Sequence, residues 1–154
     1  MTEKSRNCRP ESAAELRARA LRLLARREHS RLELERKLRP HAESGAVLAL
    51  LLDSLQERKQ LSDERYAEAR ARQLARKYGT ARIRHDLRSR GIAERLIGGV
   101  ARGDDLERAR AILARKYPHP AGTLRELARR ARFLASRGFS RDVAGRALGK
   151  FEED

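Results

Sequence analysis

The sequence predicts an all-α protein built as three tandem three-helix repeats, and three observations predict it. Apolar residues recur at helical spacing, helix-start and helix-stop signals alternate along the chain, and no stretch follows the two-residue period of a strand. Ser12-Ala-Ala-Glu15, Ser30-Arg-Leu-Glu33 and Thr123-Leu-Arg-Glu126 have the capping-box form, in which a hydroxyl and a carboxylate three residues later satisfy free amides of a first helical turn. The stops are equally legible. Pro40 ends the second helix, Tyr78-Gly79 the fourth, Gly91 the fifth and Pro118 the seventh, and Gly138 separates the last two. About nine helices of modest length result, joined by short connections.

Grouped in threes, these helices repeat. Leu-Ala-Arg followed by Arg or Lys occurs at Leu24–Arg27, Leu74–Lys77 and Leu113–Lys116, late in the first helix of each triplet, and once more at Leu127–Arg130 in a different kind of helix. Ser89-Arg-Gly-Ile-Ala93 and Ser136-Arg-Gly-Phe-Ser140 mark matching junctions between second and third helices. A repeated triplet suits an array whose units pack mainly on their neighbours. The units are placed at residues 12–60, 61–102 and 103–154, with residues 1–11 expected to form a disordered tail.

Helical projection separates core from surface. In the middle unit Ala67, Ala71, Leu74 and Tyr78 form one apolar stripe, with Arg65, Arg72 and Arg76 opposite. In the next helix Ile83 and Leu87 point inward. Arg84 and Arg88 then make an outward pair one turn apart, which repels itself unless an anion lies across it. In the third unit Leu106, Ala109, Leu113 and Tyr117 repeat the stripe, with Arg108 and Arg115 opposite, and Phe133 reads as exposed between Arg129 and Arg137. For any single arginine a solvated face is the simpler reading. For the set, clustered in the second and third units, a binding surface is, and its candidate residues are Arg72, Arg76, Lys77, Arg84, Arg88, Arg108, Arg115, Lys116, Arg125 and Arg129.

Charge states what such a surface would meet. A formal net charge of +15 over 154 residues favours nucleic acid, an acidic protein surface or anionic lipid. Lipid is the weakest of these, because the longest apolar run, Ala46 to Leu52, falls far short of the roughly 20 residues of a membrane span. With no secretory-type apolar stretch near the N-terminus, a soluble, cytoplasmic protein is expected. Six of the 37 basic residues are lysine and the other 31 arginine, a bias that codon usage explains as readily as phosphate binding. Cys8 is the sole cysteine. His29, His41, His85 and His119 lie in separate segments and read as ordinary turn or surface histidines, so neither a metal nor a cofactor is implied. No phosphate loop, dinucleotide fingerprint or nucleophile elbow is present, and no catalytic residues pair. Aromatic residues make up 4% of the chain and tryptophan is absent, which argues against a base-stacking platform.

From Leu61 to Ile92 the pattern becomes specific. Leu61-Ser-Asp63, Tyr66-Ala67, Gly79, Ile83, Leu87 and Arg90-Gly-Ile92 follow in order, and Ser30, Leu34 and Leu38 form a related pattern upstream. The arrangement resembles the RecX family, small modulators of the RecA recombinase. Where that family has a basic-glycine turn after the second helix, this chain has Arg39-Pro-His-Ala-Glu-Ser-Gly45. The resemblance implies an elongated, curved body lying in the groove of the RecA filament on DNA, damping ATP hydrolysis, strand exchange and co-protease activity. It implies a monomer that acts by binding, without cofactor or membrane, and that contacts single-stranded and duplex DNA with low sequence specificity. The alternative is a general helical DNA- or RNA-binding protein acting through basic faces, although no clean helix-turn-helix signature with a polar recognition helix is seen. Because Leu74 is assigned to the buried stripe, Leu74→Ala is expected to lower unfolding free energy by about 2–5 kcal/mol in a denaturant titration. A change near zero would mean the helix face is reversed.

Overall fold

Hydroxyl and carboxylate caps start most of the helices. Ser12 forms both halves of its box, accepting from the Glu15 amide at 3.2 Å while its own amide donates to the Glu15 carboxylate at 2.8 Å. Ser30 and Thr123 accept from the amides of Glu33 and Glu126, but the Glu126 carboxylate reaches the Gly122 amide rather than that of Thr123. Ser44, Ser62, Asp104 and Ser140 cap further helices in the same way.

The computed structural model describes residues 9–149. Cys8, most of the expected tail and residues 150–154 of the expected third repeat lie outside the described residues. Among the described residues the order is α1 (Ala13–Arg26), α2 (Arg31–Leu38), a 3-10 turn (Arg39–His41), α3 (Gly45–Glu57), α4 (Asp63–Ala75), α5 (Thr80–Ser89), α6 (Glu94–Val100), α7 (Asp105–Lys116), α8 (Leu124–Ser136) and α9 (Arg141–Leu148), with no strand. The helices fall into the three expected triplets. They pack as two compact units, Met1–Tyr66 and Ala67–Asp154, so the division falls within α4 and the rest of the second triplet shares a unit with the third.

In the first unit, leucines one helical turn apart build the core: Leu16 with Ala20 on α1, Leu34 with Leu38 on α2, and Leu48, Leu52 and Leu55 on α3, closed by Leu61. Pro40, which has no amide to donate, sits in the 3-10 turn that follows α2. Residue 11, placed at the end of the expected tail, is held against the first unit. Glu11 is tied down by its amide to the His41 carbonyl at 2.9 Å and by its carboxylate to Arg19. His29, expected at a turn or surface, is buried. Its Nδ1 donates to the Arg27 carbonyl at 3.0 Å and its Nε2 accepts from Lys37 at 3.1 Å, and burial holds its pKa below the ordinary histidine value.

In the second unit the stripes of α4 and α7 are where periodicity places them. Ala67, Ala71 and Leu74 are buried, as are Ala109 and Leu113, with Ile112 an inward residue that the stripe omitted. The repeated Ser-Arg-Gly junctions form the same hydrogen-bonded stop. At one, the Ile92 amide donates to Leu87 and the Ser89 hydroxyl to Asp86; at the other, the Phe139 amide donates to Leu134 and the Ser136 hydroxyl to Phe133. Gly91 and Gly138 take the positive φ, 77° and 84°, that this stop requires. Gly138 carries a second constraint. A Cβ there would lie 2.5 Å from the Arg82 Cβ and 2.8 Å from the Arg82 amide nitrogen. Gly138→Ala is therefore expected to destabilise by at least about 1–2 kcal/mol from its backbone conformation alone. Gly98→Ala, in the open interior of α6, is expected to stabilise by about 0.5–1 kcal/mol. Paired thermal melts check the contrast, and equal shifts would contradict the packing described.

Candidate functional site

Positive charge is arranged in the second unit by the few carboxylates available to it. Asp86, on α5, accepts from Arg70 Nε at 2.9 Å and Nη2 at 3.0 Å, joining α4 to α5, and from Arg90 at 3.2 Å. Partial burial pushes its carboxyl up, but the Arg70 and Arg90 guanidiniums more than offset this and hold it below the ordinary value. The outward pair Arg84 and Arg88 also has its anion within the chain. Arg88 hydrogen-bonds Glu94, which lowers the Glu94 pKa and raises that of Arg88, and Arg84 adds a weaker attraction to the same carboxylate.

Arg108 corrects its assignment to the outward face. Its side chain is only 18% exposed, donating to Asp105 and, at 2.8 Å, to the Thr80 hydroxyl, while Asp105 accepts from the Thr80 amide and hydroxyl. It is an internal tie between α5 and α7. Arg115 is exposed and donates to the Arg76 carbonyl just beyond the C-terminal end of α4. Arg76 and Arg115, the third residues of two of the repeated Leu-Ala-Arg motifs, are thus brought into contact. This favours a cation near the terminal carbonyls of a helix.

The remaining candidates stay on the surface. Arg72, Arg76, Lys77 and Arg84 are exposed, and their side chains have no ion pair among the described residues. Arg72 borders a cleft of about 260 Å³ with Arg102 and Arg108 over Ala71, Ala75 and Ile83. Arg125 and Arg129 are exposed on α8, and Lys116 ends α7.

Lys116 belongs to a cluster that the sequence reading passed over. Phe133, expected to be exposed, is half-buried and meets Tyr117 edge to face with ring centroids 5.9 Å apart. Lys116 lies over both rings, Arg130 over Tyr117, Arg137 over Phe133 and Tyr78, and Arg82 over Tyr78. The four-residue spacings of Phe133 to Arg137 at the end of α8 and of Tyr78 to Arg82 across the Gly79 turn were visible in sequence. Their meeting across helices was not.

Two family models match this region, the second three-helix domain of RecX over residues 62–98 and the third over residues 103–148. Across 147 residues, covering 94% of this chain and 92% of the relative, the chain is 40% identical to the regulatory protein RecX of Ralstonia pickettii strain 12J. The chain belongs to the RecX family. It is also 46% identical to the regulatory protein RecX of Leptothrix cholodnii, over 86% of this chain and 87% of the relative. A crystal structure of RecX from Lactobacillus salivarius shares the fold, with a TM-score of 0.73 over 88% of this chain and 94% of that one, at 21% identity. Membership makes this a regulatory protein of the RecX kind, since the RecX relatives carry that name. No helix among the described residues is long and apolar enough to cross a membrane.

The Asp86 hub yields a pH test for this RecX-family chain. A carboxyl whose pKa is lowered by folding stabilises the protein above its unfolded value, near 3.8, and loses that contribution as pH falls through the folded value. Asp86→Asn is expected to melt below the parent at pH 7, with the gap narrowing below pH 3.8. A gap that stays constant with pH would remove Asp86 from the acid response.

Proposed function

We propose that this protein regulates RecA, mainly as an inhibitor, by binding the RecA filament on DNA and damping its ATP hydrolysis, strand exchange and co-protease activity. The observation that carries this reading is relatedness to a protein named regulatory protein RecX over 94% of the chain. The physical chemistry supports it. A net charge of +15 draws the protein to a polyanionic filament, and exposed cations without internal partners retain their charge for contact. It acts by occupying a surface, as a cytoplasmic monomer with no chemistry or cofactor of its own, and holds single-stranded and duplex DNA with low sequence specificity. The module boundaries at 60–61 and 102–103 are part of the same proposal.

The contact set narrows accordingly. Arg72, Arg76, Lys77 and Arg84 face the filament, Lys116, Arg125 and Arg129 extend the surface, and Arg88, Arg108 and Arg115 position it through Glu94, Asp105 and the Arg76 carbonyl. General nucleic-acid binding through the same basic faces is the second reading, favoured by the charge alone.

DNA-stimulated RecA ATP hydrolysis tests the proposal. The parent is expected to suppress it, and Arg72→Glu with Arg76→Glu and Arg84→Glu is expected to require at least about ten-fold more protein for equal suppression, a loss of about 1.4 kcal/mol. Helicity is expected to be unchanged, because surface substitutions shift stability by only about 0.5 kcal/mol each. A parent that binds bare and RecA-coated DNA equally and leaves hydrolysis untouched would establish the second reading.

A further inference from the structure

Surface arginines commonly find carboxylates, and several here do. Arg82, Arg130, Arg137 and Lys116 do not. Among the described residues none of their side chains forms an ion pair or donates a hydrogen bond, and each lies over an aromatic ring instead. The contacts run in unbroken alternation: Arg82 at 5.2 Å from the Tyr78 centroid, Arg137 at 5.3 Å from Tyr78 and 5.2 Å from Phe133, and Lys116 at 5.0 Å from Phe133 and 5.8 Å from Tyr117, with Arg130 closing the strip 4.7 Å from Tyr117.

A ring differs from a carboxylate in what it leaves behind. Its quadrupole attracts a cation without neutralising it, and a cation over its face keeps its N–H donors for another acceptor. Four cations are therefore held in place with their full charge, each separated from the next by no more than two ring-to-cation distances. Exposed contacts of this kind are individually weak, but they reduce the side-chain freedom that binding would otherwise have to freeze.

We propose that this ring-held strip is a binding site for the phosphodiester backbone of nucleic acid. Successive charges along one line are what a nucleic-acid strand offers, and a continuous strip of unneutralised cations can meet several of them at once. An isolated anion could use only one or two. The strip shares Lys116 with the surface assigned to the filament and is otherwise made of residues outside that set, and it rests on the nucleic-acid part of the proposed function.

The test uses the full chain and fluorescence anisotropy with a labelled oligothymidylate, across a salt series. Arg82→Gln with Arg130→Gln and Arg137→Gln is expected to weaken binding at least about ten-fold more than the charge-matched Arg22→Gln, Arg36→Gln and Arg58→Gln. It should also reduce the log-log salt slope by about 2, at roughly 0.7 per single-strand phosphate contact. Should the triple variant melt early, Arg82→Gln with Lys116→Gln, the two exposed members, is expected to reduce the slope by about 1.4. Equal losses in strip and control variants would overturn the proposal in favour of bulk charge. Parental oligonucleotide binding combined with lost RecA inhibition would overturn it in favour of an acidic protein partner. If the parent leaves RecA hydrolysis unaffected while the strip variant still loses oligonucleotide binding, the filament proposal fails and the strip stands.

Discussion

The approach of Gly79 to Gly138 governs the architecture of the second unit. The Gly79 amide donates to the Arg137 carbonyl at 2.8 Å, and a Cβ on Gly79 would lie 2.6 Å from the Gly138 carbonyl oxygen. Two helix-to-helix turns from different triplets thus meet backbone to backbone, which only glycine permits at this distance. Tyr78 and Arg137 each flank one of these glycines, so the same contact brings the arginine over the ring. The packing that unites the second and third triplets also builds the cation strip.

Around that junction, carboxylates serve as crosslinks more than as neutralising charge. Asp86 joins α5 to Arg70 on α4, and Asp105 joins α7 to Thr80 at the start of α5. Exposed ion pairs contribute little in water, about 0–1 kcal/mol, but the Arg70–Asp86 pair is partly sheltered and connects separate helices. Concentrating carboxylates at such points leaves large parts of the surface with uncompensated arginine. The resulting field falls off over about 8–10 Å at ordinary ionic strength, so its effects are local and salt-sensitive.

The first unit solves a different problem with buried polar groups. His29 and Ser30 lie at the start of α2, where Ser30 caps the helix and the Asp63 carboxylate accepts from the Arg31 amide at 2.7 Å. Both His29 ring nitrogens are satisfied, so burial there is compatible with a stable core. A histidine in a short loop carries no sequence mark of this, because the Lys37 that satisfies its Nε2 is eight residues away and meets it only in the fold.

Local chemistry determined most of the fold. Caps at Ser12, Ser30 and Thr123, stops at Pro40, Gly91 and Gly138, and the stripes through Leu74 and Leu113 act within one or two helical turns, where a linear sequence is sufficient to specify them. The outward arginines were legible only in part, because a helical projection states which way a side chain leaves its own helix and not what it meets. Arg108 turns to Asp105 and Thr80, Arg88 to Glu94, and Arg115 to the Arg76 carbonyl. By itself the sequence determined an all-α chain of helical triplets with a large positive excess. Which cations are neutralised, which act as ties and which remain charged over Tyr78, Tyr117 and Phe133 was decided by the tertiary structure, since Coulomb attraction and ring stacking depend on distances between residues far apart in the chain.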